Sequence, residues 1–182
     1  MPQHTNCGMP ARLATRRQAI VGASLAMGGL FSGLKSWGQA SPAMTAKPSA
    51  AADSKRTALH QEVDFNASPR RLYEAILDSK QFAAFSGMAA EIKREDGGAF
   101  TMFGGLIVGR NIELVANQRI VQAWRPANWP PGLYSLARFE FKPQGQQTRV
   151  VLDHSSFPEG GYQHLSEGWY SHYWEPLKKF LA

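Results

Sequence analysis

The sequence predicts an α+β fold in which a curved antiparallel sheet wraps over a long C-terminal helix, with two short helices after the first strand. Three observations lead there. The closing stretch Gly168-Trp169-Tyr170-Ser171-His172-Tyr173-Trp174-Glu175-Pro176-Leu177-Lys178-Lys179-Phe180 places Trp169, Tyr173, Leu177 and Phe180 on one apolar stripe at helical period. A helix with that much aromatic surface needs a large apolar cover. Before it, residues 89–155 divide into short strand-like runs separated by Gly, Pro, Asn and Asp, the pattern of an antiparallel meander. Ahead of the meander, a single alternating strand runs directly into a Ser-Pro helix start. A helix laid across a curved sheet leaves a cavity unless side chains fill it, so the functional question is what occupies that space.

Residues 1–40 read as an export signal. Arg16 and Arg17 form a twin-arginine pair ahead of a mildly apolar, Gly- and Ala-rich run over residues 19–34. That run is shorter than the ~20 apolar residues that span a bilayer comfortably, so no stable membrane span is expected in the mature protein. Gly38 and Ala40 supply small residues at −3 and −1, which predicts cleavage between Ala40 and Ser41. The pattern resembles a twin-arginine translocation signal and implies a periplasmic or secreted protein. An ordinary secretory signal or an uncleaved anchor are the other readings of the same residues. Residues 41–57, rich in Ala, Ser, Pro and Lys without apolar periodicity, read as a flexible linker. The folded domain is expected over 58–182.

In that domain Leu59, Gln61, Val63 and Phe65 alternate with His60, Glu62, Asp64 and Asn66, a half-buried strand. Ser68-Pro69 is an N-cap followed by a proline at the first helical position, where its missing N–H costs nothing. Leu72, Ile76 and Leu77 form the buried face of that helix. Asp78-Ser79 breaks it, and residues 80–85 make a second. Strands are then expected over 89–95, 99–103, 106–115, 119–125, 135–142 and 148–155. Their turns are marked by Asp96-Gly97-Gly98, Gly104-Gly105, Asn117, the loop Asn128-Trp129-Pro130-Pro131-Gly132, and Pro143-Gln144-Gly145. Pro176 removes one backbone donor from the terminal helix, freeing the carbonyl of His172. The whole reads as a helix-grip arrangement.

The formal charge of +6 invites a nucleic-acid reading, but its distribution argues against one. Residues 1–40 hold four bases and no acid, so the remainder carries 20 − 4 = 16 bases against 14 acids, or +2. Such a domain lacks the electrostatic footprint that phosphate backbones require. The lone cysteine, Cys7, lies in the N-terminal segment, so the domain has neither a disulfide framework nor a cysteine nucleophile. No HxH or HExxH spacing and no Walker-type glycine loop is present, so neither a metal nor a nucleotide cofactor is expected.

Several segments together resemble a known superfamily. Ala67-Ser68-Pro69 with Tyr73, Asp96-Gly97-Gly98-Ala99-Phe100, Phe103-Gly104-Gly105, Gly109-Arg110-Asn111, Trp124-Arg125, Trp129-Pro130, and Gly168-Trp169 with Tyr173-Trp174 are similar to landmarks of the START-like (SRPBCC, Bet v 1-like) superfamily. The branch they resemble is named for the activator of the 90-kDa heat-shock protein ATPase, and the likeness runs from about Leu59 to Leu181. The resemblance implies a deep apolar cavity between sheet and helix, used in the superfamily for lipids, sterols and polyketides. It also implies a possible protein partner, because eukaryotic relatives act as co-chaperones. Export would separate this domain from a cytosolic chaperone and from ATP.

Strand alternation and helical period propose a lining of Phe85, Phe103, Trp124, Phe139, Phe141, His154, Trp169, His172 and Tyr173 for an apolar small molecule or lipid. His154 and His172 are the polar groups expected to face the cavity. They either orient a ligand or shuttle a proton, as in a cyclase or aromatase, or they are core histidines held by backbone carbonyls. No catalytic residue is assigned. The aromatics read equally as a binding box or as core, and the Asn128–Gly132 loop as a cavity mouth or as a stiff connection.

Overall fold

The computed structural model describes residues 53–182. The expected signal, with Arg16, Arg17 and Ala40, and the expected linker up to residue 52 lie outside the described residues. Residues 53–57 dock on the domain: the Gly160 N–H donates to the Ser54 carbonyl and the Arg56 guanidinium lies 3.8 Å over the Tyr162 ring.

Seven strands form one antiparallel sheet: β1 (Ala58–Phe65), β2 (Glu91–Ile92), β3 (Ala99–Met102), β4 (Ile107–Val115), β5 (Arg119–Pro126), β6 (Ser135–Gln144) and β7 (Gln147–Ser155). Their order is β1-β7-β6-β5-β4-β3-β2, so the meander from β2 to β7 is closed at its far edge by the first strand. Period-2 alternation decides which face is inside. Leu59, Gln61, Val63 and Phe65 point in from β1, Ala137, Phe139 and Phe141 from β6, and Val150, Leu152 and His154 from β7.

Helices α1 (Pro69–Leu77) and α2 (Ser79–Ser86) follow β1. The Ser68 hydroxyl accepts the Arg71 N–H at 3.3 Å. Asp78 joins the two helices: its N–H donates to the Glu74 carbonyl while its carboxylate accepts from Lys80 and Gln81 at 3.1 and 2.9 Å. One residue thereby closes one helix and caps the next.

The strand expected over 89–95 shortens to Glu91–Ile92. Its downstream part turns around Asn111, fully buried on β4. The Asn111 side-chain amide donates to the Lys93 carbonyl at 2.8 Å and accepts from Gln122 at 3.0 Å, while its backbone exchanges bonds with Gly97 and Gly98. A Cβ on Gly98 would stand 2.2 Å from the Lys93 carbonyl oxygen, so the loop closes only around glycine. Just beyond, β4 carries a bulge at Ile112, which is left without a partner on β5 and turned to solvent. The β6–β7 turn comes later than expected: pairing continues to Gln144 opposite Gln147, with Gly145 in the left-handed region and Pro143 inside the strand.

The terminal helix is continuous but not regular. It runs as α3 (Tyr162–Gly168), a π-helical segment (Trp169–Trp174) and α4 (Glu175–Leu181). In the wide turn the Glu175 N–H reaches back to the Tyr170 carbonyl, five residues away. The turn immediately precedes Pro176, whose missing N–H removes the ordinary partner of the His172 carbonyl. A wide turn advances each residue by less than an α turn, so residues at i+4 and i+5 both flank residue i. Tyr173 and Trp174 are therefore buried together beside Trp169, and the stripe is one tryptophan wider than a regular helix would make it.

Candidate functional site

The helix meets the sheet through rings. Trp169 packs on Trp124 (5.6 Å between centroids), Phe139 (5.5 Å), His154 (5.5 Å), Tyr173 (4.3 Å) and Trp174 (5.8 Å). Towards β1 this packing is closed. Trp174 donates its indole N–H to the Gln61 side-chain oxygen, and the Gln61 amide donates to the Ser166 carbonyl at 3.0 Å, which ties β1 to the helix through a buried polar pair.

Beneath Trp169 runs a hydrogen-bonded chain whose protons can be placed without ambiguity. An indole N–H only donates, so the 3.0 Å contact from Trp169 Nε1 makes His154 Nδ1 an acceptor. The proton of the neutral imidazole is then on Nε2, which donates to Ser135 Oγ at 2.7 Å, and Ser135 donates in turn to the Trp124 carbonyl at 2.8 Å. His154 is fully buried, and burial pushes its pKa down to about 3. Both nitrogens are engaged and the ring stays neutral, so His154 has no free position for acid–base work near neutral pH.

Towards β5 and the β3–β4 connection the packing is open. A cavity of about 450 Å³ lies between the helix and the sheet. Its inner wall is Phe103, Ile107, Trp124, Leu165, Trp169 and Tyr173; its rim is Met88, Leu106, Ala127, Asn128, Trp129, His164 and His172, with Gly161 and Gly168 leaving room on the helix side. Among the described residues no Asp, Glu, Lys or Arg lines it. Leu106 is 61% exposed and Met88 41%, so the mouth presents apolar surface to solvent. The loop over the mouth is braced from outside. Arg125, on the opposite face of β5 from Trp124, donates to the Trp129 carbonyl at 2.8 Å and sits 5.6 Å from the Tyr134 ring.

Two of the inner-wall residues carry polar groups that are themselves buried. The Trp124 indole N–H is buried beside the Tyr173 hydroxyl, and its donor character works against the upward push of burial on that phenol. The hydroxyl donates to Met102 Sδ at 3.9 Å, a residue outside the cavity lining. Burial holds the Tyr173 phenol well above its ordinary pKa, so it stays protonated.

Of the nine residues expected to line the site, Phe103, Trp124, Trp169, His172 and Tyr173 border the cavity. Phe85, Phe139, Phe141 and His154 do not. Phe139 is covered by Trp169 and Trp174, and Phe85 by Phe82, Tyr173 and Phe180, because the widened aromatic stripe settles onto β6 and α2; Phe141 is covered instead by Tyr73 of α1. His154 lies below Trp169. The two histidines therefore do not converge: His172 meets the Phe103 ring at the rim, whereas His154 is enclosed by Trp124, Phe157 and Trp169. Leu165, Gly168 and Leu106 line the cavity without having been singled out for it, while Asn128 and Trp129 come from the loop that one of the two readings put at the mouth. Leu165 stands four residues before Trp169, so extending the stripe by one turn would have found it. His60 is exposed on the outer face, its Nδ1 2.7 Å from Asp153, and that hydrogen bond above all raises its pKa. Among the described residues no group of three or more His, Cys, Asp or Glu is placed to hold a metal ion, and no helix is long and apolar enough to cross a membrane.

Comparison with known proteins agrees with this architecture. Residues 66–182 match the family model described as Activator of Hsp90 ATPase homolog 1-like protein. The chain is 32% identical over 124 residues to the activator of 90 kDa heat shock protein ATPase homolog 2 of Mus musculus, covering 68% of this chain and 38% of that protein. It is 31% identical over 107 residues to a Dictyostelium discoideum homologue of the activator, covering 58% of this chain and 28% of the relative. The chain thus spans between about a quarter and two fifths of these relatives' length. Among solved structures, an HSP90 activator from Plasmodium falciparum superposes with a TM-score of 0.65 at 24% identity, covering 69% of this chain and 96% of that one. CalU16 from Micromonospora echinospora superposes with a TM-score of 0.60 at 17% identity, covering 69% and 76%. These two likenesses are of fold. With a seven-stranded sheet gripping its last helix and a family match over most of the described domain, this chain belongs to the Activator of Hsp90 ATPase homolog 1-like family.

Proposed function

We propose that this domain holds an apolar small molecule or lipid in the cavity between sheet and C-terminal helix, and does so outside the cytoplasm after export by the twin-arginine translocation machinery. The observation that carries the binding reading is the cavity itself, about 450 Å³ with a wall of aromatic and aliphatic side chains and no charged one among the described residues. Most of the helix–sheet interface is filled by stacked rings, so an open region at one end is a specific departure from close packing.

Gly168 supplies the test. It lines the cavity in ordinary helical conformation (φ −61°, ψ −39°), and a Cβ there would meet nothing within 4 Å. Gly168→Leu is expected to fill the cavity and abolish binding of an apolar fluorophore such as Nile red. Thermal stability should hold or rise, since replacing a helical glycine gains up to ~1 kcal/mol. Undiminished fluorophore binding by a folded Gly168→Leu protein would place the apolar site elsewhere.

The export reading rests on Arg16 and Arg17 ahead of the apolar run. Changing both to Lys is expected to retain the precursor in the cytoplasm, as read by cell fractionation and immunoblotting. Unchanged periplasmic accumulation would point to a general secretory route.

A second reading, a protein-binding module, is favoured by the exposed Leu106 and Met88 at the rim and by relatives named as activators of a chaperone ATPase. Leu106→Glu separates the two: it should disturb a protein interface far more than entry of a small apolar ligand.

A further inference from the structure

The exposed apolar residues at the cavity mouth belong to a larger charge-free end of the domain. Residues 82–90, 97–109 and 126–137 contain no Asp, Glu, Lys, Arg or His. The fold gathers them at one end of the sheet. The Gly104 N–H donates to the Ala89 carbonyl and the Ala127 N–H to the Leu106 carbonyl, each at 2.8 Å, and Ile107 pairs with both Met102 and Pro126. Five of the seven exposed large apolar side chains among the described residues lie on these segments: Met88, Leu106, Leu133, Tyr134 and Leu136. Apolar side chains scattered singly over a surface need no explanation, but a cluster on a tip without charge does. Towards β7 and β1 the same end of the sheet carries Asp53, Arg56 and Glu159, so the patch is confined to the β3–β6 side.

The charges just behind this tip suit a surface of phosphates. On the outer face of the sheet Val108 pairs with Arg125 and Arg110 with Ala123, so the two arginines project from the same side. Arg125 stands one residue back from the last pair, Ile107–Pro126, and Arg110 three, or about 3 and 10 Å along the strands. Arg110 donates to the Gly97 carbonyl and Arg125 to the Ala127 and Trp129 carbonyls; neither meets a carboxylate among the described residues. A bilayer has the matching profile, with hydrocarbon beneath a headgroup layer about 5–8 Å thick on each side. Trp129 and Tyr134 bring amphipathic rings of the kind that settle at that boundary. A protein partner would need directional contacts to fix its register. The tip offers little beyond the Thr101 and Tyr134 hydroxyls and the Asn128 amide. We propose that this end of the domain docks on a phospholipid bilayer containing anionic lipid, with Met88, Leu106 and Leu133 among the acyl chains and Arg110 and Arg125 at the phosphates. Docking of this kind is attachment to one leaflet and needs no spanning helix. It stands apart from the question of what the cavity holds, although it sets the cavity mouth at Leu106 and Trp129 against the membrane.

A local reporter tests this in the full-length protein carrying Cys7→Ser. A nitrobenzoxadiazole fluorophore is attached at Leu133→Cys on the tip or, as the control, at Lys142→Cys, exposed towards the other end of β6. The two labels differ only in position, so any contribution of residues 1–52 to vesicle binding is common to both. Vesicles of phosphatidylcholine mixed with phosphatidylglycerol should raise the emission at 133 several-fold and make it quenchable by a brominated acyl chain, and should leave the label at 142 unchanged. Phosphatidylcholine alone should need several-fold more lipid for the same response, and Arg110→Gln should shrink that difference. Leu106→Glu should raise the lipid needed for a half-maximal response at 133 about tenfold. A label at 133 that stays in water with both vesicles, or a response of equal size at 142, would overturn the proposal. So would an emission rise at 133 that needs no lipid and grows with protein concentration, because the tip would then meet a second copy of the chain. Equal responses to the two vesicle types would overturn the part played by the arginines. The comparison of labels 133 and 142 decides the matter even if Leu106→Glu does not fold.

Discussion

Trp169→Ala is expected to destabilise the domain by about 4 kcal/mol, in the range for deleting a fully packed tryptophan. Trp169 touches five other rings and is 2% exposed, so little around it can collapse into the space. The loss is more than packing. Without the indole N–H, His154 Nδ1 becomes a buried acceptor with no donor. Trp169→Phe separates the two contributions, since it restores much of the ring surface but not the proton, and should still cost about 1–3 kcal/mol. Denaturant unfolding of both variants checks this. A phenylalanine variant as stable as the parent would mean that the Trp169–His154–Ser135 chain contributes nothing measurable.

Acid should unfold this protein earlier than its exposed carboxylates would predict, and His154 is the reason. Its folded-state pKa is pushed down to about 3, against an ordinary value of 6.5. Below about pH 6.5 the unfolded chain binds a proton at this residue and the folded protein does not. Stability therefore falls with pH through that window, by about 1.4 kcal/mol per unit, until the folded-state value is reached. Above pH 6.5 the group is neutral in both states and contributes no slope. His60 acts in the opposite sense: its raised pKa, due first to Asp153, adds stability that is present at low pH and lost as pH rises through the folded value. It is more than half exposed, so its effect is small beside that of His154. His154→Gln isolates the larger effect. It should lower stability at neutral pH, because the Trp169 and Ser135 groups lose their designed partner, yet flatten the pH dependence between about 6.5 and 4. Parallel stability–pH curves for the parent and His154→Gln would show that the imidazole does not titrate with unfolding.

Much of this architecture is legible in the residues because strands and caps announce themselves locally. The alternation from Leu59 to Phe65 is reproduced position by position on the inner face, and Ser68-Pro69 starts a helix where the cap chemistry puts it. The parts that are not legible depend on partners far along the chain. Asn111 looks like an ordinary strand residue until its amide is seen holding Lys93 and Gln122, and that hold shortens β2 and shapes the Asp96-Gly97-Gly98 loop. The π segment is equally silent. Regular helical period puts Trp174 beside the stripe, while the wide turn before Pro176 puts it inside, where it reaches Gln61 on β1. That change decides the fate of the expected site: the extra tryptophan closes the β6–β7 side over Phe139, and the open volume remains beside β5 and the Asn128–Gly132 loop. His154 illustrates the same limit, since strand alternation gives the face a side chain takes and not what lies on top of it.

Native mass spectrometry of the protein, isolated without refolding from the cells that make it, decides whether the cavity holds a small apolar molecule in the cell. The prediction is a discrete extra mass that persists under native conditions, disappears on denaturation, and is missing from Gly168→Leu. A clean protein mass from both forms, with no adduct under the gentlest conditions, would contradict it and favour the apolar rim around Leu106 as a surface for a protein partner.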